Sequence, residues 1–384
     1  MSEWLDYKIS DIADVIGGGT PKTAIDEYWN GNIPWLAPRD LTGYSNVYIS
    51  HGDRFITDIG LKNSSTRLMP KGSVLLTSRA PIGYVAIAQN EICTNQGFKS
   101  LVPKKGICNS EFLYYWIKNN VDYLQQLGSG TTFAEISGSV VKDIDISLPP
   151  LKEQKAIAEV LSSLDDKIDL LHRQNKTLEE LAQTLFRQWF IEEAKDEWEI
   201  GKLPDEFSFT MGLSPKGETF NEEKIGIPMY QGNADFEFRF PKNRVYTTDP
   251  KRYAEKFDTL VSVRAPVGAQ NMAKEKCCIG RGVAAFKYKE DSSFYTYTYF
   301  KMKSLMDEIK QFNDSGTVFG SINKTDFEAM EVIVPPYSEV EKFQNEVKSL
   351  DDKVIQNTFQ IKTLENMRDT LLSKIMSGEV RMKY

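Results

Sequence analysis

The chain has 384 residues, 41% of them hydrophobic and 26% charged, with a net charge of −7. That is an ordinary globular balance, long enough for two or three domains. Only two histidines (His51, His172) and four cysteines are present, with no C-x-x-C pair, which excludes most histidine-based metal sites and dyads, a zinc site and a disulfide framework.

No stretch approaches the ~20 apolar residues of a membrane span. Residues 1–6 have neither the basic nor the apolar part of a signal peptide, so a cytoplasmic location and no membrane partner are expected. Cys93, Cys108, Cys277 and Cys278 are expected as buried thiols.

Along the chain, Gly17-Gly18-Gly19-Thr20-Pro21 follows a possible short helix, and so does not fit a dinucleotide fingerprint. Strands are predicted at 72–77 and 84–88, with the turn Arg79-Ala80-Pro81-Ile82-Gly83 between them. Asn95-Gln96-Gly97-Phe98 follows. A helix is predicted at 110–127, then the loop Gly128-Ser129-Gly130-Thr131-Thr132, which lacks the lysine of a phosphate-binding loop. After Pro149-Pro150, apolar residues recur at alternating spacings of four and three: Ile157, Leu161, Leu164, Ile168 and Leu171, interrupted by Asn175, then Leu178, Ala182, Leu185 and Trp189. This is the heptad pattern of a long helix with one packing seam.

The same series then returns about 186 residues later. Ser163-Leu164-Asp165-Asp166-Lys167 recurs as Ser349-Leu350-Asp351-Asp352-Lys353, Pro149-Pro150 as Pro335-Pro336, and Arg79-Ala80-Pro81 as Arg264-Ala265-Pro266. Gly130-Thr131 with Phe133 recurs as Gly316-Thr317 with Phe319, and Gln96-Gly97 as Arg281-Gly282. Strands at 259–263 and 283–288 and a helix at 292–312 complete the second copy. The chain is a duplicated unit, each copy a mixed α and β domain followed by a long helix. The strand order is not derivable from the pattern.

Each helix should run roughly 50–60 Å at about 1.5 Å per residue, too long for one domain to cover, so the two cover each other. Antiparallel packing sets Ile157 opposite Ile375, Trp189 opposite Phe343 and Asn175 opposite Asn357. A parallel pairing leaves each asparagine facing an apolar residue. Asn175 and Asn357 are therefore expected to satisfy one another and fix the register.

Basic charge is concentrated inside the domains. Residues 54–105 hold 8 basic and 2 acidic side chains, and residues 239–289 hold 12 and 4, whereas 151–200 hold 7 and 12. Two basic clusters at similar points of a repeat suggest a polyanion partner. Arg79 and Arg264, each held by a Pro-Gly turn at a strand end, suit bidentate contact with guanine or phosphate; the structural alternative is an arginine that caps a loop or pairs a carboxylate. Gln96 and Arg281 have small neighbours that allow close approach to a backbone. Val334-Pro335-Pro336-Tyr337 lacks the asparagine of an adenine-methyltransferase Asn-Pro-Pro-Tyr motif, and no clustered carboxylates suggest a nuclease.

The combination resembles the specificity subunits of type I restriction–modification systems over nearly the whole chain. The resemblance is carried by Gly18-Gly19-Thr20-Pro21, Ile33-Pro34-Trp35, residues 77–83, Asn95-Gln96-Gly97-Phe98, Pro149-Pro150-Leu151-Lys152-Glu153-Gln154, Leu185-Phe186-Arg187-Gln188-Trp189-Phe190 and the tail 373–380. The second copy departs from it: Pro336 is followed by Tyr337-Ser338-Glu339-Val340, without the glutamine.

The resemblance implies an α+β chain with target-recognition domains at 1–148 and 196–334 and spacer helices at 149–195 and 335–384 that form an antiparallel coiled coil. Each domain would read half of a bipartite, gapped double-stranded DNA site. The helices would act as ruler and dock two methyltransferase subunits, beside separate restriction (motor) subunits. Catalysis, metal and cofactor are expected to be absent from this chain, with S-adenosylmethionine and ATP on the partners. The candidate DNA-contacting residues are Thr20, Lys22, Ser78, Arg79, Gln96, Lys99, Thr131, Lys216, Arg264, Arg281 and Thr317. The alternatives are an enzyme acting through this chain and a protein-binding scaffold.

Overall fold

The computed structural model describes residues 4–129, 134–312 and 320–382. The chain divides into two compact units: Met1–Leu170 with Ile361–Tyr384, and Leu171–Gln360. The long helices are Leu151–Arg187 and Tyr337–Met376, and each unit holds one globular domain with a stretch of both.

In the first unit, Leu5–Lys8 pairs antiparallel with Asp145–Leu148, tying the start of the domain to its end. A five-stranded sheet runs in the order Ala13–Gly17, Lys99–Pro103, Val74–Ser78, Ile82–Ala88, Tyr48–Ile49. A three-stranded sheet pairs Trp29–Leu36 with Arg54–Ile56 on one side and Cys93–Thr94 on the other. Val74–Ser78 is buried along its whole length, which is why it reads as a run and not as an alternation. A short helix, Ile9–Ile12, does precede the glycines at 17–19, but strand Ala13–Gly17 lies between; no α-helix follows them directly, so a dinucleotide fold is still not indicated.

Helix Ser110–Asn119 is capped by Asn109, whose side chain accepts from Phe112 N–H at 2.8 Å. It buries Phe112 and Tyr115 against the sheet and against Ile157 and Leu161 of the first long helix, in one core with Leu372 and Ile375 of the second. The single helix expected at 110–127 is interrupted at Asn120, whose amide donates to the Trp116 carbonyl at 2.8 Å. The helix expected at 292–312 likewise divides into Tyr295–Ser304 and Met306–Gln311.

The second unit repeats the scheme. Glu199–Lys202 pairs with Glu331–Val334. One sheet has the order Phe207–Met211, Val283–Tyr288, Thr259–Ser262, Gln270–Met272, and a five-stranded sheet is centred on Ile227–Tyr230. The core is aromatic: Phe186, Phe190, Phe207, Tyr297 and Phe343 are all buried, with Phe186 and Phe343 edge-to-face at 5.6 Å.

Both units show the long helices antiparallel. In the first, Asp165 meets Arg368 at 2.7 Å and Ile157 shares a core with Ile375. In the second, Trp189 meets Phe343 at 5.9 Å and Asn175 meets Thr358 at 3.3 Å. Two expectations need correction. The seam is covered by the domains as well as by the opposite helix, as the Phe112 and Tyr297 contacts show. Asn175 and Asn357 are both buried, but they do not satisfy each other. Asn175 donates to the Thr358 hydroxyl instead, because that oxygen, anchored on the Val354 carbonyl at 2.7 Å, offers it a free lone pair. Asn175 Oδ1 and both amide atoms of Asn357 are left without a hydrogen bond.

All four cysteines are buried free thiols. Among the described residues no helix is long and apolar enough to cross a membrane, and no three His, Cys, Asp or Glu side chains converge on a metal-sized site.

Candidate nucleic-acid interface

In the first unit, motifs far apart in sequence meet at one sheet edge. Gly18 and Gly19 are glycines because backbone crowds them: a Cβ on Gly18 would lie 1.9 Å from the Asn95 carbonyl oxygen, and one on Gly19 would lie 2.4 Å from Thr66 N. Gly19 N–H donates to the Thr94 carbonyl at 2.9 Å. Two indoles fix the next turn. Trp35 donates to the Gly19 carbonyl at 2.9 Å and Trp29 to the Lys22 carbonyl at 3.3 Å. The two rings pack edge-to-face at 5.1 Å, with the Arg54 guanidinium 3.5 Å over Trp29. That explains the Ile33-Pro34-Trp35 motif, which the sequence presented without a mechanism.

The loop so held presents Thr20, whose hydroxyl donates to Gln96, and an exposed Lys22. Gln96 is exposed in a turn made by Asn95, whose side chain accepts from Gly97 N–H at 2.7 Å. The Gly97 carbonyl accepts from Ser78 N–H at 2.7 Å and from the Ser78 hydroxyl at 3.2 Å. Ser78 is fully buried, so its selection as a DNA contact does not stand: its hydroxyl is consumed in joining the strand to the Gln96 turn. Arg79, next along, is about one-third exposed and pairs with Glu135 at 3.4 Å; Lys99 reaches the other oxygen of the same carboxylate at 3.1 Å. Thr20, Gln96, Arg79 and Lys99 are therefore assembled by a chain of direct contacts. Glu135 was not anticipated.

The second unit builds the same edge with other side chains. A Cβ on Gly212 would lie 2.1 Å from the Gly280 carbonyl oxygen. Arg281 N–H donates to the Ser214 hydroxyl at 3.1 Å, and Val263 N–H to the Gly282 carbonyl at 2.9 Å. In both copies a hydroxyl at the strand end ties the Arg-Ala-Pro turn: Thr77 donates to the Pro81 carbonyl at 2.7 Å, and Ser262 to the Pro266 carbonyl at 2.9 Å. Both Ala-Pro bonds are cis. Arg79 bridges to Glu135 by backbone, and Arg264 to Ser321. Arg264 and Arg281 are exposed, with no carboxylate within salt-bridge distance among the described residues. Lys216 is also exposed, 3.7 Å from Glu218, a solvated pair of little energetic weight. Thr131, Phe133, Thr317 and Phe319 lie outside the described residues.

The remaining motifs serve the framework. Gln154 of Pro-Pro-φ-x-Glu-Gln is buried; its oxygen accepts from Asn109 N–H at 2.9 Å, and its amide donates to the Ile107 and Pro149 carbonyls, each at 2.9 Å. It clamps the start of the long helix to the start of the domain helix. Glu153 binds Arg381 Nε at 2.7 Å. In the second copy, the glutamine missing at Val340 is replaced one turn on: buried Gln344 accepts from Tyr297 N–H at 3.0 Å and donates to the Ser293 carbonyl at 3.3 Å. The repeated aspartates anchor each domain, Asp165 accepting from Tyr115 and Asp351 from Thr296.

One buried cluster has the look of chemistry. Burial pushes the Glu206 carboxyl up and the Lys301 ammonium down. Lys301, however, donates to the Ile333 carbonyl at 2.7 Å and lies 3.4 Å from Glu206, which accepts from Tyr297, inside the aromatic core, so its groups are engaged with one another within the domain.

The family described as the type I restriction modification DNA specificity domain matches residues 1–180 and again 195–366. The MjaIX specificity subunit of Methanocaldococcus jannaschii is 35% identical, covering 99% of this chain and 94% of its own. The HindI specificity subunit of Haemophilus influenzae is 23% identical, covering 99% and 100%. The crystal structure of a type I restriction–modification S subunit from M. genitalium shares the fold, with a TM-score of 0.66 at 21% identity over 97% of this chain and 95% of that one. By its two family regions and its full-length relatives, the chain belongs to the DNA specificity subunits of type I restriction–modification systems.

Proposed function

We propose that the chain selects the DNA target of a type I modification complex, each domain reading one half of a bipartite, gapped site and the long helices docking two methyltransferase subunits. Restriction (motor) subunits join the same complex. S-adenosylmethionine and ATP act on those partners, and this chain contributes recognition without catalysis.

The observation that carries this reading is one loop scaffold built twice with different tips. Backbone contacts match at Gly18 and Gly212, Gly97 and Gly282, Ser78 and Val263, while the exposed tips differ: Gln96 against Arg281, and Glu135 against Ser321. A constant frame with variable hydrogen-bonding ends is what reading two different base sequences requires. Docking is supported by apolar side chains that the long helices leave in solvent: Leu170 (39% exposed) and Met367 (55%) in the first unit, and Leu181 (46%) in the second.

The test is a single-molecule methylome of a host carrying this chain with its methyltransferase, beside one lacking the chain. A gapped motif whose methylation disappears with the chain is the expected result. A continuous motif, or methylation independent of the chain, would overturn the reading.

A further inference from the structure

The two reading edges differ in charge at one backbone-equivalent position. Glu135 bridges to Arg79 in the first domain and Ser321 to Arg264 in the second. Glu135 holds Arg79 and Lys99 with one oxygen each, at 3.4 and 3.1 Å, and stays 37% exposed. Counting from the matched Gly97 and Gly282, the counterpart of Lys99 is Ala284. The first edge therefore carries two cations and a carboxylate between them. The second carries two arginines, Arg264 and Arg281, with no acidic neighbour in salt-bridge range among the described residues.

We propose that Glu135 is a specificity determinant of the first domain, selecting a base with an amino group in the major groove (adenine or cytosine) and keeping Arg79 and Lys99 from indiscriminate phosphate contact. This rests on the DNA-reading function above. A carboxylate only accepts hydrogen bonds, so the N6 amino of adenine or the N4 amino of cytosine satisfies its free lone pairs, whereas guanine O6 and N7 offer only further acceptors and a phosphate oxygen meets like charge. While Glu135 occupies the space between Arg79 and Lys99, those cations release fewer counterions to nonspecific DNA. Among the described residues the second edge carries Arg264 and Arg281 and no carboxylate, which favours guanine and phosphate.

The test uses the full chain in its complex, with three variants. Glu135→Gln keeps the shape and removes the charge; Glu135→Asp keeps the charge; Ser321→Glu places a carboxylate beside Arg264. Methylomes and binding to a non-cognate duplex across salt are read for each. Glu135→Gln is expected to make one position of one half-site degenerate, leave the other half-site intact, and tighten non-cognate binding about tenfold with a salt slope steeper by about 1–2. Glu135→Asp should restore the parent motif. Ser321→Glu should alter only the other half-site and weaken non-cognate binding. If Glu135→Gln folds but leaves motif and non-cognate affinity unchanged, the proposal fails. If Glu135→Gln does not fold, Ser321→Glu decides, and an unchanged second half-site with unchanged affinity overturns the proposal. Failure of the DNA-reading function itself is separable, because it shows in the parent chain as the lack of any gapped motif.

Discussion

Arg239, in a loop of the second domain, meets Asp351 of the second long helix at 3.0 Å, both side chains wholly withdrawn from solvent. Its guanidinium lies 3.8 Å over the Tyr299 ring and 3.9 Å from Glu179 of the first long helix, which Lys303 also binds at 2.5 Å. In the first unit the equivalent carboxylate, Asp165, is met by Arg368 from the opposite helix. The repeated aspartate is thus neutralised in both copies, by arginines from different places. Arg239→Ala leaves a buried carboxylate with its Thr296 hydrogen bond but without its counter-charge and is expected to cost about 3–5 kcal/mol. Arg239→Leu combined with Asp351→Leu removes both charges and should recover most of that loss. Thermal or denaturant melting of the two variants separates the outcomes; equal damage in both would mean that packing, and not charge, holds the loop.

Gln344→Leu should destabilise the second unit by about 1–3 kcal/mol, since Tyr297 N–H then loses its acceptor in a buried place. Hydrogen exchange at the first turn of Tyr295–Ser304 should quicken while that of Ser110–Asn119, which Gln154 serves, stays unchanged. Equal quickening at both helices would contradict separate clamps.

Asn357→Leu is expected to raise stability by about 1–2 kcal/mol, because the amide it replaces is buried with neither atom hydrogen-bonded. A lower melting temperature would show that the asparagine fits its place better than leucine can.

Arg79→Ala and Arg264→Ala should each weaken recognition of one half-site only, by about 1–3 kcal/mol of base discrimination. Arg264→Ala removes an exposed side chain with no salt-bridge partner among the described residues and should leave the melting temperature unchanged. Loss at both half-sites from either variant would point to a folding defect. Methylome sequencing of the two variants reads both results.

One heptad inserted at matched points of both long helices adds about 10 Å to each. The expected outcome is a longer gap between unchanged half-sites. Altered half-sites would refute the helices as ruler.

The duplication and the heptad seam were legible in the sequence, since each rests on local periodicity: apolar residues every three or four positions, and blocks such as Ser-Leu-Asp-Asp-Lys repeated in order. The antiparallel sense was reached by placing Asn175 and Asn357 at one level, although the two do not hydrogen-bond each other. The glycines at 18 and 19 were legible as a motif of the resemblance, but not as a close crossing with residues 94–95 and 65–66. What only the tertiary structure decided are pairings across long chain separations, where any of many carboxylates or amides could serve. Glu135 is one of 54 acidic residues, brought to Arg79 across 56 positions. Gln344 takes over from an absent glutamine one turn away because a helix presents positions four apart on the same face. Asn175 chose Thr358 over Asn357, because heptad register assigns a level in the seam while hydrogen-bond geometry within that level depends on side-chain direction, which periodicity does not encode.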